Sequence, residues 1–443
     1  MIAMTVTTDR CHDPYIRCAF YGAAQTVLGV SGCCVLAHSP QGCHMLVDTA
    51  FSWQNEDYTE TQTLCTKLCE DEIVYGGEET LAHTILDAKS LDVPIVFVLS
   101  ACGPEIVGDD IVAVCEEMRR QVDFELIPIK CAGFQGSQYD GVDIALDVLL
   151  KKLVVDDKQK IANSVCLIAP HANANPTWMG DLAWIKNVLS KMGAHVVATL
   201  THRTALSEFE NVSAAETSIV LSHDAGQKAA DYLAGEFGIE QLCRDMPLPI
   251  GFTNTQRWLA ELGEAFDARD IVENLVANGE KMVVERCRRK GLGLYPFHRE
   301  PVAIVADATI GVPLIRFVTE ELEMVPRMVY LRSSPKTAGN ILEAELRELN
   351  LSPRVVYHTD VYQTKKSLAE VKPEVVFGSE IERYAIDDLD IPLAFELVTP
   401  ITRFRIFDRE YFGYMGMLNL LEIMQNDYRD QYRSKLRRYK ARW

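Results

Sequence analysis

The chain has 443 residues, 48% of them hydrophobic and 24% charged, an ordinary globular composition that is too long for one hydrophobic core. A formal charge of −19 argues against a nucleic-acid or anionic-membrane surface. No apolar run reaches the roughly 18 residues of a membrane span, and "MIAMTVTTDRCHDPYIRC" lacks the basic-then-apolar pattern of an export signal, so the expectation is a cytoplasmic protein.

Apolar periodicity predicts strands and helices in alternation. "VPIVFVLS" (93–100) reads as a strand, and "GDDIVAVCEEMRRQ" opens a helix with aspartates near its positive end. "SVCLIAP" (164–170) is a strand, "WMGDLAWIKNVLSKMG" a helix ending at Gly193, and "AHVVATL" the next strand. "PVAIVAD" (301–307), "GVPLIRFVTEELEM" and "RMVYLRS" repeat the pattern, and "PEVVFGS" (373–379) and "IPLAFEL" (391–397) add two short strands. Such alternation predicts an α/β fold of three Rossmann-like domains, each a parallel sheet flanked by helices. The boundaries fall near 160 and 300: one α/β domain over 1–160, a second over 161–300, and a third over 301–443 with C-terminal helices. The basic "RSKLRRYKARW" fits the negative end of such a helix.

Several chemistries lack their motifs. "GLGLYP" (291–296) does not follow a strand and is no dinucleotide fingerprint; no P-loop, nucleophile elbow or CxxC pair occurs. The 13 cysteines are an odd number in a large chain without an export signal, which argues for free thiols rather than a disulfide framework. Cys115, Cys166, Cys243 and Cys287 read as buried small hydrophobes. Cys65 and Cys69, four apart, would share a packed face if helical. His38 and His44 flank Cys43 and read as packing or hydrogen-bonding residues rather than ligands.

Four segments of the first domain carry a ligand-capable residue at a turn: Cys18 in "YIRCAFYGA", Cys43 in "SPQGCHML", Cys102 in "LSACGPEIVGDD" and Ser137 in "CAGFQGSQYDG". Loops at the carboxyl ends of parallel strands converge on one crevice, so residues distant in sequence can meet there. Thiolates are soft, anionic donors suited to iron–sulfur clusters, and Gly42 and Gly103 would let backbone approach the sulfides. On spacing alone, scattered core cysteines are the better reading.

The surrounding residues resemble the β subunit of nitrogenase component 1 over essentially the whole chain. The matching stretches are "PQGC", "EDEIVYGGEETL" (70–81), "SACGPEIVGDD", "GFQGSQYDG", "MPLPIGFTNT" (246–255) and "FDREYFGYMGMLNLLE" (407–422). The resemblance implies that Cys18, Cys43, Cys102 and Ser137 hold half of an [8Fe-7S] P-type cluster, with a [4Fe-4S] cluster as the alternative. It also implies an α-type subunit supplying the other half, in an α2β2 heterotetramer. An ATP-dependent iron protein would feed it; ATP is spent by that partner, not by this chain. Tyr75, in "IVYGG", falls where the family has an aromatic residue at the docking surface for the iron protein, or else closes a helix turn. Glycines beside Ser137 suggest a mobile loop that swings the hydroxyl on or off iron.

Family α subunits hold the active-site cofactor through a mid-chain Cys and a late His. Here Ser222, in "SIVLSHDAGQKAADYLAGEFGI", stands near the cysteine's place, and the last histidine is His358. His223 is an ordinary packed residue on this reading. The implied role is therefore an electron-relaying, β-type oxidoreductase subunit without catalytic residues of its own. Retention of three cysteines and the serine speaks against tetrapyrrole reductase subunits and non-catalytic assembly scaffolds, which keep fewer. A divergent centre and no long N-terminal extension set the chain apart from a standard nitrogenase β subunit. By elimination the resemblance points to methylthio-alkane reductase, which cleaves carbon–sulfur bonds reductively.

Overall fold

The structure is a computed structural model that describes residues 13–45, 61–155, 158–170, 175–290, 297–333, 336–357, 360–398 and 407–436. Cys11, "GLGLYP" and His358 lie outside the described residues, as does the end of the basic C-terminal run.

Thirteen strands among these residues form three sheets, and every strand pair is parallel. The first sheet has β1 (Cys34–His38), β2 (Gln62–Cys65), β3 (Ile95–Ser100) and β4 (Glu125–Lys130) in the order β2-β1-β3-β4. The second has β5 (Ser164–Ile168), β6 (His195–Leu200), β7 (Thr217–Val220) and β8 (Glu240–Leu242), ordered β6-β5-β7-β8. The third has β9 (Pro301–Ala306), β10 (Val325–Leu331), β11 (Arg354–Tyr357), β12 (Val375–Gly378) and β13 (Leu393–Glu396), ordered β11-β10-β9-β12-β13. Helices fill the crossovers, so the α/β architecture is the expected one.

The two-residue period of the strands decides how the sheets pack. In the middle sheet Val165, Leu167 and Ile219 join one apolar cluster, with Ile304 and Phe377 of the third sheet. Their neighbours Cys166, Ile168 and Val220 point the other way, into a cluster with Leu99 and Ile127 of the first sheet. Successive side chains alternate between faces, so one strand serves two cores. Such strands read as unbroken apolar runs because neither face meets water. The helix Gly413–Leu436 adds Met417, Leu420 and Met424 to the core between the second and third sheets. Cys115, Cys166 and Cys243 are buried free thiols, while Cys287 is half-buried at the edge of that same core.

Close helix packing sets the geometry at one end of the first sheet. A Cβ on Gly22 would stand 1.8 Å from Gln138 O, and one on Gly141 would stand 1.9 Å from Ala19 O. Only glycine lets the helices Ala19–Leu28 and Gln138–Leu153 approach backbone to backbone. That contact fixes the relative position of their first residues, where two of the candidate ligands sit.

Candidate functional site

Three of the four candidate ligands lie at helix N-termini. Cys18 is the N-cap of the helix Ala19–Leu28, Ser137 is the N-cap of Gln138–Leu153, and Cys102 is the first residue of Cys102–Val107. The exposed N–H groups of a first turn favour negative charge, which suits thiolates and an anionic cluster. Cys43 lies in a helical turn at 41–45, reached from the carboxyl end of β1. All four residues are partly accessible rather than sealed in the core.

Hydrogen bonds hold the first pair together. Cys18 and Ser137 face each other across an antiparallel bridge, flanked by Ala19 N donating to Gly136 O (3.0 Å) and Gln138 N donating to Arg17 O (2.8 Å). The Ser137 hydroxyl donates to Asp140 Oδ2 at 2.8 Å, and the Ser137 N–H donates to the same oxygen. The serine is therefore anchored in a capping box rather than carried on a free glycine loop, because Asp140 lies one turn ahead.

Gly133, which the sequence reading passed over, lies against both neighbouring thiols. A Cβ there would stand 2.9 Å from Cys102 Sγ and 3.1 Å from Cys18 Sγ, and the Gly133 N–H donates to Cys102 Sγ at 3.1 Å. Gly42 and Gly103 do not play that part: Gly42 faces open space and Gly103 lies under Ile73. Burial pushes the Cys43 thiol up, and the sulfurs of Cys18, Cys102 and Cys65 add to that shift. Behind them Cys131 is fully buried, with its thiol donating to Ser100 O. Among the described residues no three His, Cys, Asp or Glu side chains close around a single metal ion. A spread of soft donors with a side-chain-free cradle at Gly133 fits a multi-iron cluster rather than one ion.

The other candidates have contacts of their own. His38 is buried and its Nε2 pairs with Asp109 Oδ2 at 3.0 Å; burial holds its pKa below the usual value, so it is a packing residue. The Cys65–Cys69 expectation fails, because the segment is not helical. Cys65 ends strand β2, and Cys69 is the exposed N-cap of the helix Glu70–Tyr75. Tyr75 ends that helix at 85% exposure, so it closes no packed turn. Large apolar side chains stay exposed on neighbouring segments: Met45 beyond Cys43, Val74 beside Tyr75, Ile106 on the Cys102 helix and Phe134 after Gly133.

A second crevice, at the carboxyl ends of β7 and β9, is built differently. Ser222 Oγ lies 3.0 Å from Thr309 Oγ1 and accepts from Asp224 N and Ala225 N. The buried Asp224 carboxylate accepts from Ala308 N (2.9 Å), Thr309 N (2.8 Å) and the hydroxyls of Thr309 and Ser333. His223 accepts from Leu248 N at 3.0 Å, and burial pulls its pKa down to about 4, so its ring is neutral and structural. Asp307 is 1% exposed, and neither carboxyl oxygen makes a hydrogen bond of good geometry. Burial, and then the charge of Asp224, raise its pKa to about 7 against the pull of Arg332. Arg332 is itself buried and holds Asp13 and Glu382, each at 2.9 Å.

The sequence matches the family model for nitrogenase component 1 type oxidoreductases over residues 18–428. It is 22% identical to the nitrogenase iron-iron protein beta chain of Rhodobacter capsulatus, across 94% of this chain and 93% of that one. It is 25% identical to a nitrogenase molybdenum-iron protein beta chain of Methanococcus maripaludis, across 95% of each. The solved structure of nitrogenase Cp1 at pH 6.5 shares the fold, with a TM-score of 0.79 over 99% of this chain and 97% of that chain, at 17% identity.

Proposed function

The chain belongs to the nitrogenase component 1 type oxidoreductases and is of their β type, and from that premise we propose that it relays electrons through half of an iron–sulfur cluster shared with an α-type subunit. Membership makes it a subunit of an oxidoreductase complex and implies iron–sulfur chemistry. The observation that carries the finer reading is the meeting of Cys18 and Cys102 at Gly133, with Ser137 bridged to Cys18 and Cys43 on the turn that follows β1.

These residues fit a P-type [8Fe-7S] cluster, which when bound supplies an electron relay. Cys18, Cys43 and Cys102 would hold it through soft sulfur donors, and Ser137 through a harder oxygen that favours oxidised iron. Hydrogen bonds to sulfur, such as that from Gly133, and local burial set the potential. The exposed Met45, Val74, Tyr75, Ile106 and Phe134 support cover by partners, because large apolar side chains around a site mark interaction surfaces. An α-type subunit would cover the cluster edge in an α2β2 assembly, and an ATP-dependent iron protein would dock near Tyr75. The hydrogen bonds that engage Ser222, Asp224 and His223 support a relay rather than a cofactor-bearing role.

The proposed domains stay 1–160, 161–300 and 301–443; one sheet within each span supports them. The specific enzyme we propose is methylthio-alkane reductase, since the full set of three thiols and a serine speaks for a reductase and the low identity to nitrogenase β chains for a divergent one. The test is anaerobic purification of the native complex, with iron, molybdenum and vanadium measured per subunit and methylthio-alkane reduction assayed with the iron protein and ATP. Iron shared between this chain and an α-type subunit, with release of the thiol product, is the expected result. A complex without iron at this interface overturns the relay. Reduction of dinitrogen but not of the thioether overturns the specific assignment alone.

A further inference from the structure

Cys65 reaches the thiol site by a route that its spacing hides. Strand β2 runs parallel to β1 with Cys65 level with Ala37, so its sulfur emerges at the carboxyl edge from which Cys43 and Cys102 also project. Backbone bonds lace the two segments beyond the strands: Thr66 N donates to Ala37 O at 3.1 Å and Leu68 N to Ser39 O at 3.2 Å. Cys65 Sγ lies 3.4 Å from Ser39 O, to which its S–H donates, and it accepts the Lys67 N–H at 3.3 Å. Ser39 stands four residues before Cys43 and opens the same turn.

Its surroundings are those of a ligand rather than a core thiol. Among the described residues Cys65 joins none of the four apolar clusters, whereas Cys33, Cys34, Cys115 and Cys131 are fully buried in them. The N–H from Lys67 repeats the arrangement at Cys102, whose sulfur accepts from Gly133 N. Backbone N–H groups aimed at sulfur stabilise the thiolate and tune the iron it binds.

We propose that Cys65 is a fourth sulfur donor of this half-site, beside Cys43, an inference that rests on the iron–sulfur reading above. On binding, Cys65 Sγ releases its proton to buffer and gives its lone pair to iron; no electrons change hands. Cys69 takes no part: its sulfur donates to Lys67 O on the exposed side of the same loop.

The test compares the anaerobic native complex carrying Cys65→Ala, Cys65→Ser, Cys69→Ala or Cys102→Ala by iron content and by Mössbauer and electron paramagnetic resonance spectra. Cys65→Ala should lower iron less than Cys102→Ala does and should change the spectrum. Cys65→Ser, which keeps the bonds to Ser39 and Lys67, should restore iron with a shifted spectrum, and Cys69→Ala should match the parent. Parent-like iron and spectrum in Cys65→Ala, with iron lost in Cys102→Ala, overturns this inference alone. Parent-like iron in Cys102→Ala overturns the underlying cluster reading instead. Should the Cys65 variants fail to assemble, iodoacetamide labelling of the unaltered complex decides. Cys65 should be protected with iron bound and labelled after chelation in a complex still assembled by size exclusion; equal labelling in both states overturns the inference.

Discussion

The carboxyl edge of the first sheet and the crevice between the second and third sheets share one topology and reach opposite chemical states. Both lie where loops leave parallel strands, the place where α/β folds gather ligands. At the first edge Cys18, Cys43 and Cys102 are partly accessible, and a glycine leaves room beside two of them. In the crevice Ser222, Asp224, Thr309 and Ser333 spend their polar atoms on one another and on the start of the helix Ala308–Arg316. Topology provides the two crevices; the side chains decide that one is open to a ligand and the other closed. Asp307 is the poorly satisfied member of the closed site, since it is buried beside the Asp224 carboxylate and neither of its oxygens makes a hydrogen bond of good geometry.

The largest break in this contrast is Cys102→Ala. It should remove most of the iron measured per complex and weaken pairing with the α-type subunit on size exclusion. Gly133→Ala should follow, lowering iron by a smaller fraction with every thiol still present, because its methyl would crowd Cys102 and Cys18. If iron binding is unaffected, the cradle is not where the thiols bind.

The crevice can be tested by pH. Asp307 has a folded pKa of about 7, above the unfolded value near 3.8, so the native state binds the extra proton. Its stability contribution is intact below about pH 4 and is lost as pH rises towards 7. By linkage the penalty at pH 8 is on the order of 4 kcal/mol. Asp307→Asn should therefore raise stability at pH 8 and flatten the fall between pH 4 and 8, read by urea denaturation. An equal pH slope in variant and parent would place the titration elsewhere.

Two finer probes return to the thiol edge. Tyr75→Ala should slow electron delivery from the iron protein severalfold while iron content holds, since the side chain is largely exposed. Lost iron in that variant would give Tyr75 a structural role instead. Ser137→Ala should leave the reduced cluster assembled and alter the oxidised couple, by roughly 60 mV per unit of coupled proton pKa in a one-electron step. Loss of the helix cap costs about 1 kcal/mol in any case, so an unchanged potential and pH slope would leave Ser137 as a cap only.

Strands buried on both faces were legible because they form apolar runs between turn residues: β3, β5 and β9 stand within the predicted stretches. The edge strand β2 (QTLC) is mostly half-exposed and forms no apolar run, and the buried run of β1 (CVLAH) ends in a histidine; their place follows from pairing with β1 and β3. The Cys65–Cys69 reading failed because four-residue spacing speaks of a shared face only inside a helix, and here a strand end is followed by a left-handed Lys67, whose N–H meets Cys65 Sγ and whose carbonyl meets Cys69 Sγ. Gly133 gave no signal, because a glycine that makes room for sulfur looks the same in sequence as one that makes a turn.

By itself the sequence determined the α/β class, the family resemblance, and the inventory of ligand-capable residues with Cys18, Cys43, Cys102 and Ser137 foremost, because residue type and short-range period are local properties. Tertiary structure alone decided that Gly22 and Gly141 clamp two helices so that Cys18 meets Ser137, that Gly133 lies against Cys18 and Cys102, that Cys65 ends a strand against Ser39, and that Asp224 seals the second crevice. Those are contacts between residues tens to more than a hundred positions apart. They are set by the packing of whole elements, and no local pattern of residues encodes them.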